Sequence, residues 1–210
     1  NHARHAGDEL HAQLLEHWAR ECGLTSAVDE AVLAARLQAI ELRRRLGQTE
    51  KVGHNQRGLS SLCRQLGRLD EAQRWLDAAI ATLESIAPGP ELAMAYSMRS
   101  ASYMLTNHRR QAESWGERAI ALATRFNEHG TIAHALNNIG SALADDGQAR
   151  GFELLQQSLA IAREHNLHDH ASRAYGNASE ASVRNRLLAQ SESLIVPGIV
   201  AAAMLSFALS

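Results

Sequence analysis

The side chains best suited to chemistry in this chain are histidines, and three of them lie within six residues of one another. His165, His168 and His170 surround Asp169, and imidazole and carboxylate groups are common ligands of zinc. A metal site also requires side chains that converge on one point, whereas the same residues are ordinary in a solvated turn. We expect a solvated turn and keep a small metal-binding protein or enzyme as a remote alternative.

No arrangement typical of an enzyme is found elsewhere in the sequence. Cys22 and Cys63 are too far apart for a C-x-x-C pair, and serine, histidine and aspartate occur without a nucleophile elbow. The chain also contains no G-x-x-x-x-G-K-[ST] loop, which would hold the phosphates of a nucleotide. We therefore expect no catalytic activity, no cofactor and no nucleotide binding.

The charge balance argues against nucleic acid as a partner. The formal net charge is −2, and there is no basic stripe of the kind that follows a phosphate backbone. The short run Arg43–Arg45 is expected to be a solvated face at a helix end, where cations interact well with the helix dipole. Two cysteines without a disulfide pattern favour a reducing, cytoplasmic location.

Composition favours helices over strands. Hydrophobic residues make up 45% of the chain but aromatic residues only 4%, so alanine and leucine supply most of the apolar surface. Alanine favours helices, whereas strands are rich in β-branched and aromatic residues. The predicted fold class is all-α.

A repeat of about 40 residues organises the chain, and periods of that order are typical of solenoid proteins. A small residue followed by a branched one recurs at a nearly constant interval, in the pairs Ala39-Ile40, Ala79-Ile80, Ala119-Ile120, Ser158-Leu159 and Gly198-Ile199. Between these pairs the apolar residues have helical spacing. One pair of helices cannot bury its apolar faces alone, so successive pairs should stack. The sequence predicts a right-handed superhelix of about four to five antiparallel helix pairs.

Turn residues follow the same interval. Gly67, Asn107 and Gly147 are evenly spaced along the chain, and both residue types tolerate the left-handed conformation that ends a helix. Small residues such as Gly140 should lie where two helices cross closely. The predicted organisation is one domain over 1–210, with repeats at 8–47, 48–88, 89–129, 130–168 and 169–210.

The spacing of small and large residues resembles that of the tetratricopeptide (TPR) family. The series Ser60-x-x-Cys63-x-x-x-Gly67-x-x-x-x-Ala72-x-x-x-Leu76-x-x-Ala79 has that family's pattern, and Gly140-x-x-Leu143-x-x-x-Gly147 has its first half. The interval here is longer than the roughly 34 residues of that family's repeat, which indicates longer helices or turns.

Three segments are similar to the helical-repeat region of large LuxR-type bacterial transcriptional regulators. They are 91–97, 115–123 and 134–140. This resemblance implies an interaction or sensory segment between an ATPase module and a helix-turn-helix module. A free-standing TPR adaptor for a peptide or partner protein is the alternative.

The TPR resemblance also implies a binding face. In that family the first helix of each pair lines a concave groove, where asparagine often holds the backbone of a ligand. Asn138 and Asn177 take that position here, and we expect both to face solvent in the empty groove; the alternative is that they cap or bridge helices internally. The expected groove also includes His54, Arg57, Met94, Ser97, Met98, His134, Asn137, Ser141, Arg173, Glu180 and Arg184. The expected partner is a protein or peptide, with a small-molecule effector as a further candidate.

The end of the sequence is strongly apolar. The stretch 194–209 contains Pro197 and Gly198 and has 16 residues, fewer than the roughly 20 that a membrane helix needs. We expect a packing helix rather than a membrane span, and self-association through it. Because the chain begins at Asn1 without Met, we also expect a piece of a longer protein.

Overall fold

The computed structural model describes residues 2–25 and 27–185, and all regular secondary structure within them is α-helical. Neighbours along the chain pack together, including α1 with α2, α3 with α4, α7 with α8, and α8 with α9. The helices are α1 (His2–Leu24), α2 (Glu30–Arg45), α3 (Thr49–Gln65), α4 (Leu69–Glu84), α5 (Pro90–Leu105), α6 (Arg109–Arg125), α7 (His129–Ala144), α8 (Ala149–Glu164) and α9 (His168–Arg184).

The chain divides into two compact units. The N-terminal unit is Asn1–Ala95 and the C-terminal unit is Tyr96–Ser210. Helix α5 contributes its first residues to the N-terminal unit and the others to the C-terminal unit. Each unit is described on its own below.

The turns within the helix pairs adopt the predicted conformation. Gly67, Asn107 and Gly147 have φ values of 73°, 58° and 72°, in the left-handed region that glycine and asparagine tolerate. Gly147 N–H donates to the carbonyl of Ala144, which satisfies one of the free carbonyls at the end of α7. These residues therefore end helices as the sequence predicts.

The recurring small residues lie in the core. The side chains of Ala39, Ala79, Ala119 and Ser158 are fully buried. In the N-terminal unit Ile40, Leu59 and Leu62 belong to the surrounding apolar cluster; in the C-terminal unit Leu155 packs with Ala178 and Ala181. The repeat interval thus marks the buried face of the second helix in each pair.

Helices α7 and α8 approach closely through two glycines. A Cβ at Gly140 would lie 2.9 Å from the carbonyl oxygen of Gly151, and a Cβ at Gly151 would lie 2.2 Å from the nitrogen of Ala144. Only glycine fits at such a backbone contact, which confirms the expectation for Gly140.

The apolar stretch 194–209 and the last repeat landmark, Gly198-Ile199, lie outside the described residues. Self-association through that stretch and the five repeat boundaries therefore stay predictions. No helix in the described ranges is both long and apolar enough to cross a membrane.

Candidate functional site

Helix α7 carries several polar side chains on its buried surface. His134, Asn137, Asn138 and Ser141 are all buried, and Ser141 Oγ donates back to the Asn137 carbonyl at 2.8 Å. Four of the predicted site residues thus lie on one helix, inside the C-terminal unit and not on its open surface.

Asn138 bridges two helices, and the expectation that it faces solvent is wrong. Its side chain is 1% exposed, and Nδ2 donates to the Ser97 carbonyl on α5 at 3.0 Å. The Asn138 amide therefore lies between α7 and α5, where a backbone carbonyl takes the place of water as its partner. The internal bridging role is the correct one of the two alternatives.

His134 connects α5 to α9. Its Nδ1 lies 2.7 Å from Ser97 Oγ, and its Nε2 lies 3.2 Å from Arg173 Nη1. A guanidinium can only donate, so Nε2 accepts from Arg173 and Nδ1 carries the proton that Ser97 Oγ accepts. The ring also meets His170 edge-on, at 5.9 Å between centroids. Three helices are thereby joined around one imidazole.

Asn137 is the one asparagine of this helix whose amide is not used by the described part of the protein. It is 1% exposed, and neither Oδ1 nor Nδ2 has a hydrogen-bond partner among the described residues. Leaving a buried donor or acceptor unpaired costs about 1–3 kcal/mol for each group. Because most buried polar groups in native proteins are paired, these two atoms call for a partner such as a water molecule or a ligand.

Open space lies at the corresponding position of the next first helix. Gly176 on α9 follows Asn137 at the interval of this repeat, and a Cβ there would meet nothing within 4 Å. The surface of α9 at Gly176 therefore carries no side chain and has room for one.

The other predicted residues of the C-terminal unit differ in exposure. Met98 on α5 and Asn177 on α9 are half-buried, and Arg173 is exposed apart from its contact with His134. Glu180 and Arg184 pair with each other at 2.6 Å on the exposed side of α9. Arg184 also lies 3.4 Å from Asp145, so its charge is already neutralised.

Arg57 and Met94 belong to the N-terminal unit. Arg57 and His54 lie 3.1 Å and 3.0 Å from the Glu91 carboxylate, and Met94 is half-buried on α5. Burial raises the pKa of Glu91, but hydrogen bonds and charges from His54 and Arg57 outweigh it and lower that pKa to about 2. Arg57 therefore has a carboxylate partner within the protein, and its place in the expected groove stays a prediction.

The histidines of the α8–α9 turn do not converge on a metal position. His165 stacks on His129, with ring centroids 3.7 Å apart and planes 12° apart, while His170 faces His134. Across residues 2–25 and 27–185, no group of three or more His, Cys, Asp or Glu side chains is placed to hold a metal ion.

Sequence reasoning missed two buried arginines of α2. Arg43, expected on a solvated face, is 1% exposed, and Arg36 is buried as well. The signal was available in the repeat, because the equivalent positions of the next second helix hold Leu76 and Leu83, which are buried. Alignment of the repeats places both arginines in the core, whereas the run Arg43–Arg45 alone suggested a solvated position for Arg43.

Comparisons with known proteins identify the fold. No family model matches the chain, and no curated protein matches it. Among solved structures, aspartyl phosphate phosphatase F from Bacillus subtilis is similar with a TM-score of 0.71 and 11% identity, over 96% of this chain and 53% of that one. This chain thus spans about half the length of the phosphatase.

Two other solved structures match over nearly their whole length. A kinesin light chain structure with nearly identical TPR-like repeats from Podosopora anserina has a TM-score of 0.61 and 16% identity, with 93% of this chain and 94% of that chain covered. BtubC (BKLC) from P. vanneervenii has a TM-score of 0.59 and 14% identity, with 98% and 92% covered. At such identities the likeness shows the fold alone, which is all-α with TPR-like helical repeats.

Proposed function

We propose that this chain is a non-catalytic scaffold that binds a peptide or a partner protein between α7 and α9 of the C-terminal unit. Asn137 is the observation that carries the proposal. Its amide is 1% exposed and unpartnered among the described residues, whereas the neighbouring Asn138 donates to a backbone carbonyl inside the protein.

A primary amide suits a peptide ligand because it both donates and accepts. Nδ2 and Oδ1 of Asn137 can pair with the carbonyl and the N–H of a peptide unit, whatever the side chains of that peptide are. Asn177, half-buried on α9, can extend the same contact, and Arg173 adds a charge-assisted donor for a carboxylate. Half-buried Met98 offers an adaptable apolar contact.

Selection of peptides from a random display library, with the whole chain as bait, tests this function. Hydrogen exchange with a selected peptide should then show protection in α7 and α9. Gln157→Ala provides a matched control, since it removes an exposed amide from α8. Peptides whose protection falls only outside α7 and α9, or the recovery of no binding peptide, would contradict the proposal.

The finer proposal is that this scaffold is the interaction segment of a cytoplasmic LuxR-type transcriptional regulator. It is supported by the resemblance of segments 91–97, 115–123 and 134–140, and by a net charge that gives the segment itself no attraction to DNA. A free-standing adaptor is the second candidate function. For either candidate, the ligand could be a small-molecule effector instead of a peptide. Self-association through 194–209 is compatible with both candidates.

The sequence of the complete reading frame separates these two candidates. The regulator proposal expects a phosphate-loop motif upstream of Asn1 and a helix-turn-helix downstream of Ser210. A reading frame that starts near Asn1 and stops near Ser210 would overturn the regulator proposal and favour the free-standing adaptor.

A further inference from the structure

Two arginines of α2 form a natural comparison within the N-terminal unit. Arg36 and Arg43 are seven residues apart, so they lie two turns apart on the same face, and they are 6% and 1% exposed. Burial of a guanidinium is costly unless an anion accompanies it. The two side chains differ in whether that anion is present.

Arg43 is fully paired. Its Nε and Nη2 donate to the two oxygens of Glu16 at 2.8 Å and 2.6 Å, and Nη1 donates to Glu9 at 2.7 Å. This side-on contact, in which two parallel N–H groups meet one carboxylate, is the strongest geometry for such a pair. Arg43 therefore shows how α2 binds a carboxylate from α1.

Arg36 has the same donors but no carboxylate. Its Nη1 donates to Oδ1 of Asn55, a neutral amide, at 2.9 Å. Nε is buried without a partner, and no described carboxylate oxygen lies within 4 Å of the guanidinium. Nε belongs to the edge through which Arg43 holds Glu16, and in Arg36 it has no hydrogen-bond partner among the described residues.

The charge count of the surrounding network leaves one cation in excess. Asn55 Nδ2 donates to Glu16 at 2.6 Å, so Arg36, Asn55, Glu16 and Arg43 are linked, and Glu9 joins them with Lys51 at 3.1 Å. Three cations therefore share two carboxylates. The cation without its own carboxylate is Arg36.

The environment of Arg36 strengthens this imbalance. Burial lowers the pKa of Arg36, and the charges of Arg57 and Arg20 lower it further against the opposing effect of Glu16. Glycine at position 58 on α3 leaves space for the Arg36 guanidinium, because a Cβ there would lie 3.1 Å from Arg36 Cζ.

We infer that Arg36 is a carboxylate-binding site at the junction of α1, α2 and α3, and that its ligand is an acidic group of a bound peptide. A carboxylate would meet the side-on edge of Arg36 as Glu16 meets that of Arg43, and it would bring the network to neutrality. The site lies in the N-terminal unit, so it does not depend on the proposed role of Asn137.

The direct test is a titration of the whole chain with sodium acetate, followed through the Nε–H resonances of its arginines by NMR. The Arg36 resonance is assigned by its disappearance in Arg36→Met. It should shift and saturate with acetate but not with sodium chloride at equal ionic strength. An equal response to both salts, or no response, would overturn the site.

Two variants and two peptides complete the test. Arg36→Lys keeps the charge but loses the side-on edge, so acetate should bind about ten-fold more weakly or worse, as followed through the side-chain amide resonances of Asn55 in both proteins. Arg44→Gln, at an exposed position of the same helix, should leave acetate binding unchanged. If Arg36→Met fails to fold by circular dichroism, the disappearance of the same resonance in Arg36→Lys assigns it, and the wild-type titration decides.

The two peptides distinguish the sources of a carboxylate. One is capped at both ends and contains a single glutamate; the other has only a free terminal carboxylate. A saturable shift of the Arg36 resonance with either peptide supports the inference and identifies the source. No shift with either would exclude a peptide ligand.

Discussion

Two adjacent asparagines of α7, Asn137 and Asn138, differ in whether their side-chain amides have hydrogen-bond partners within the protein. Asn138 donates to a backbone carbonyl of α5, whereas both polar atoms of Asn137 are buried without a described partner. We therefore expect Asn138 to contribute to stability and Asn137 to contribute to binding, although the two residues are adjacent. Substituting each one alone separates the effects.

Asn138→Ala should lower the free energy of unfolding by about 1–3 kcal/mol, because the bridge to Ser97 is lost in a buried place. Asn137→Ala should be close to neutral, since it removes two polar atoms that the described protein leaves unpaired. Urea unfolding followed by circular dichroism measures both. A larger loss for Asn137→Ala than for Asn138→Ala would show that the roles are reversed.

Acid should weaken the N-terminal unit through its carboxylates. Hydrogen bonds from Arg43, Gln48 and Lys51 lower the pKa of Glu9 from 4.5 to about 2. A carboxylate with a depressed pKa in the folded state contributes stability above its unfolded pKa and loses it as the pH falls through the folded pKa. The loss should therefore begin below about pH 4.5 and continue toward pH 2.

Glu9→Gln should reduce this acid dependence, and the control Glu41→Gln, an exposed glutamate of α2, should not. Urea unfolding between pH 7 and pH 3 provides the comparison. Equal acid dependence in wild type and Glu9→Gln would contradict the assigned ion pairs.

Residue type alone did not predict these buried polar contacts. A polar residue in a periodic helix is assigned to solvent by default, which was wrong for Asn138 and Arg43. The partners that allow burial, Ser97 and Glu16, are 41 and 27 positions away. Local spacing contains no information about such pairs, although alignment of the repeats marks where burial occurs.

At the scale of the helices, the sequence predicted the turns and the buried small residues better than it predicted the buried polar contacts. Turn residues and the small residues of the second helices recur at a fixed interval, and both act through local conformation or through contact with the adjacent helix. The predicted turns at Gly67, Asn107 and Gly147 and the buried position of Ala79 are therefore all found.

Substitution by alanine should have opposite effects on stability at two glycines, one in the close contact between α7 and α8 and one facing open space on α9. Gly140→Ala should destabilise the chain by about 1–3 kcal/mol, because the added methyl group meets the backbone of α8. Gly176→Ala enters open space in α9, and should stabilise by about 0.5–1 kcal/mol through the better helix propensity of alanine. Thermal unfolding of both variants measures the difference; equal effects would contradict the close contact at Gly140.

The molecule as a whole has a fold of TPR-like helical repeats, and its charge and motifs bear on which ligands it can bind. A net charge of −2 and the lack of a phosphate loop predict that the chain binds neither ATP nor duplex DNA at physiological salt. Calorimetry with ATP and fluorescence anisotropy with a labelled duplex check this expectation. Micromolar affinity for either would overturn it.

In the proposed function, a bound peptide supplies hydrogen-bond partners to the Asn137 amide. Calorimetric titration of a selected peptide into wild type, Asn137→Ala and the control Gln157→Ala tests it most directly. Loss of two hydrogen bonds, each contributing about 0.5–1.5 kcal/mol, should raise the Kd about ten-fold in Asn137→Ala and leave it unchanged in the control. The same Kd in all three proteins, with Asn137→Ala folded, would contradict the account.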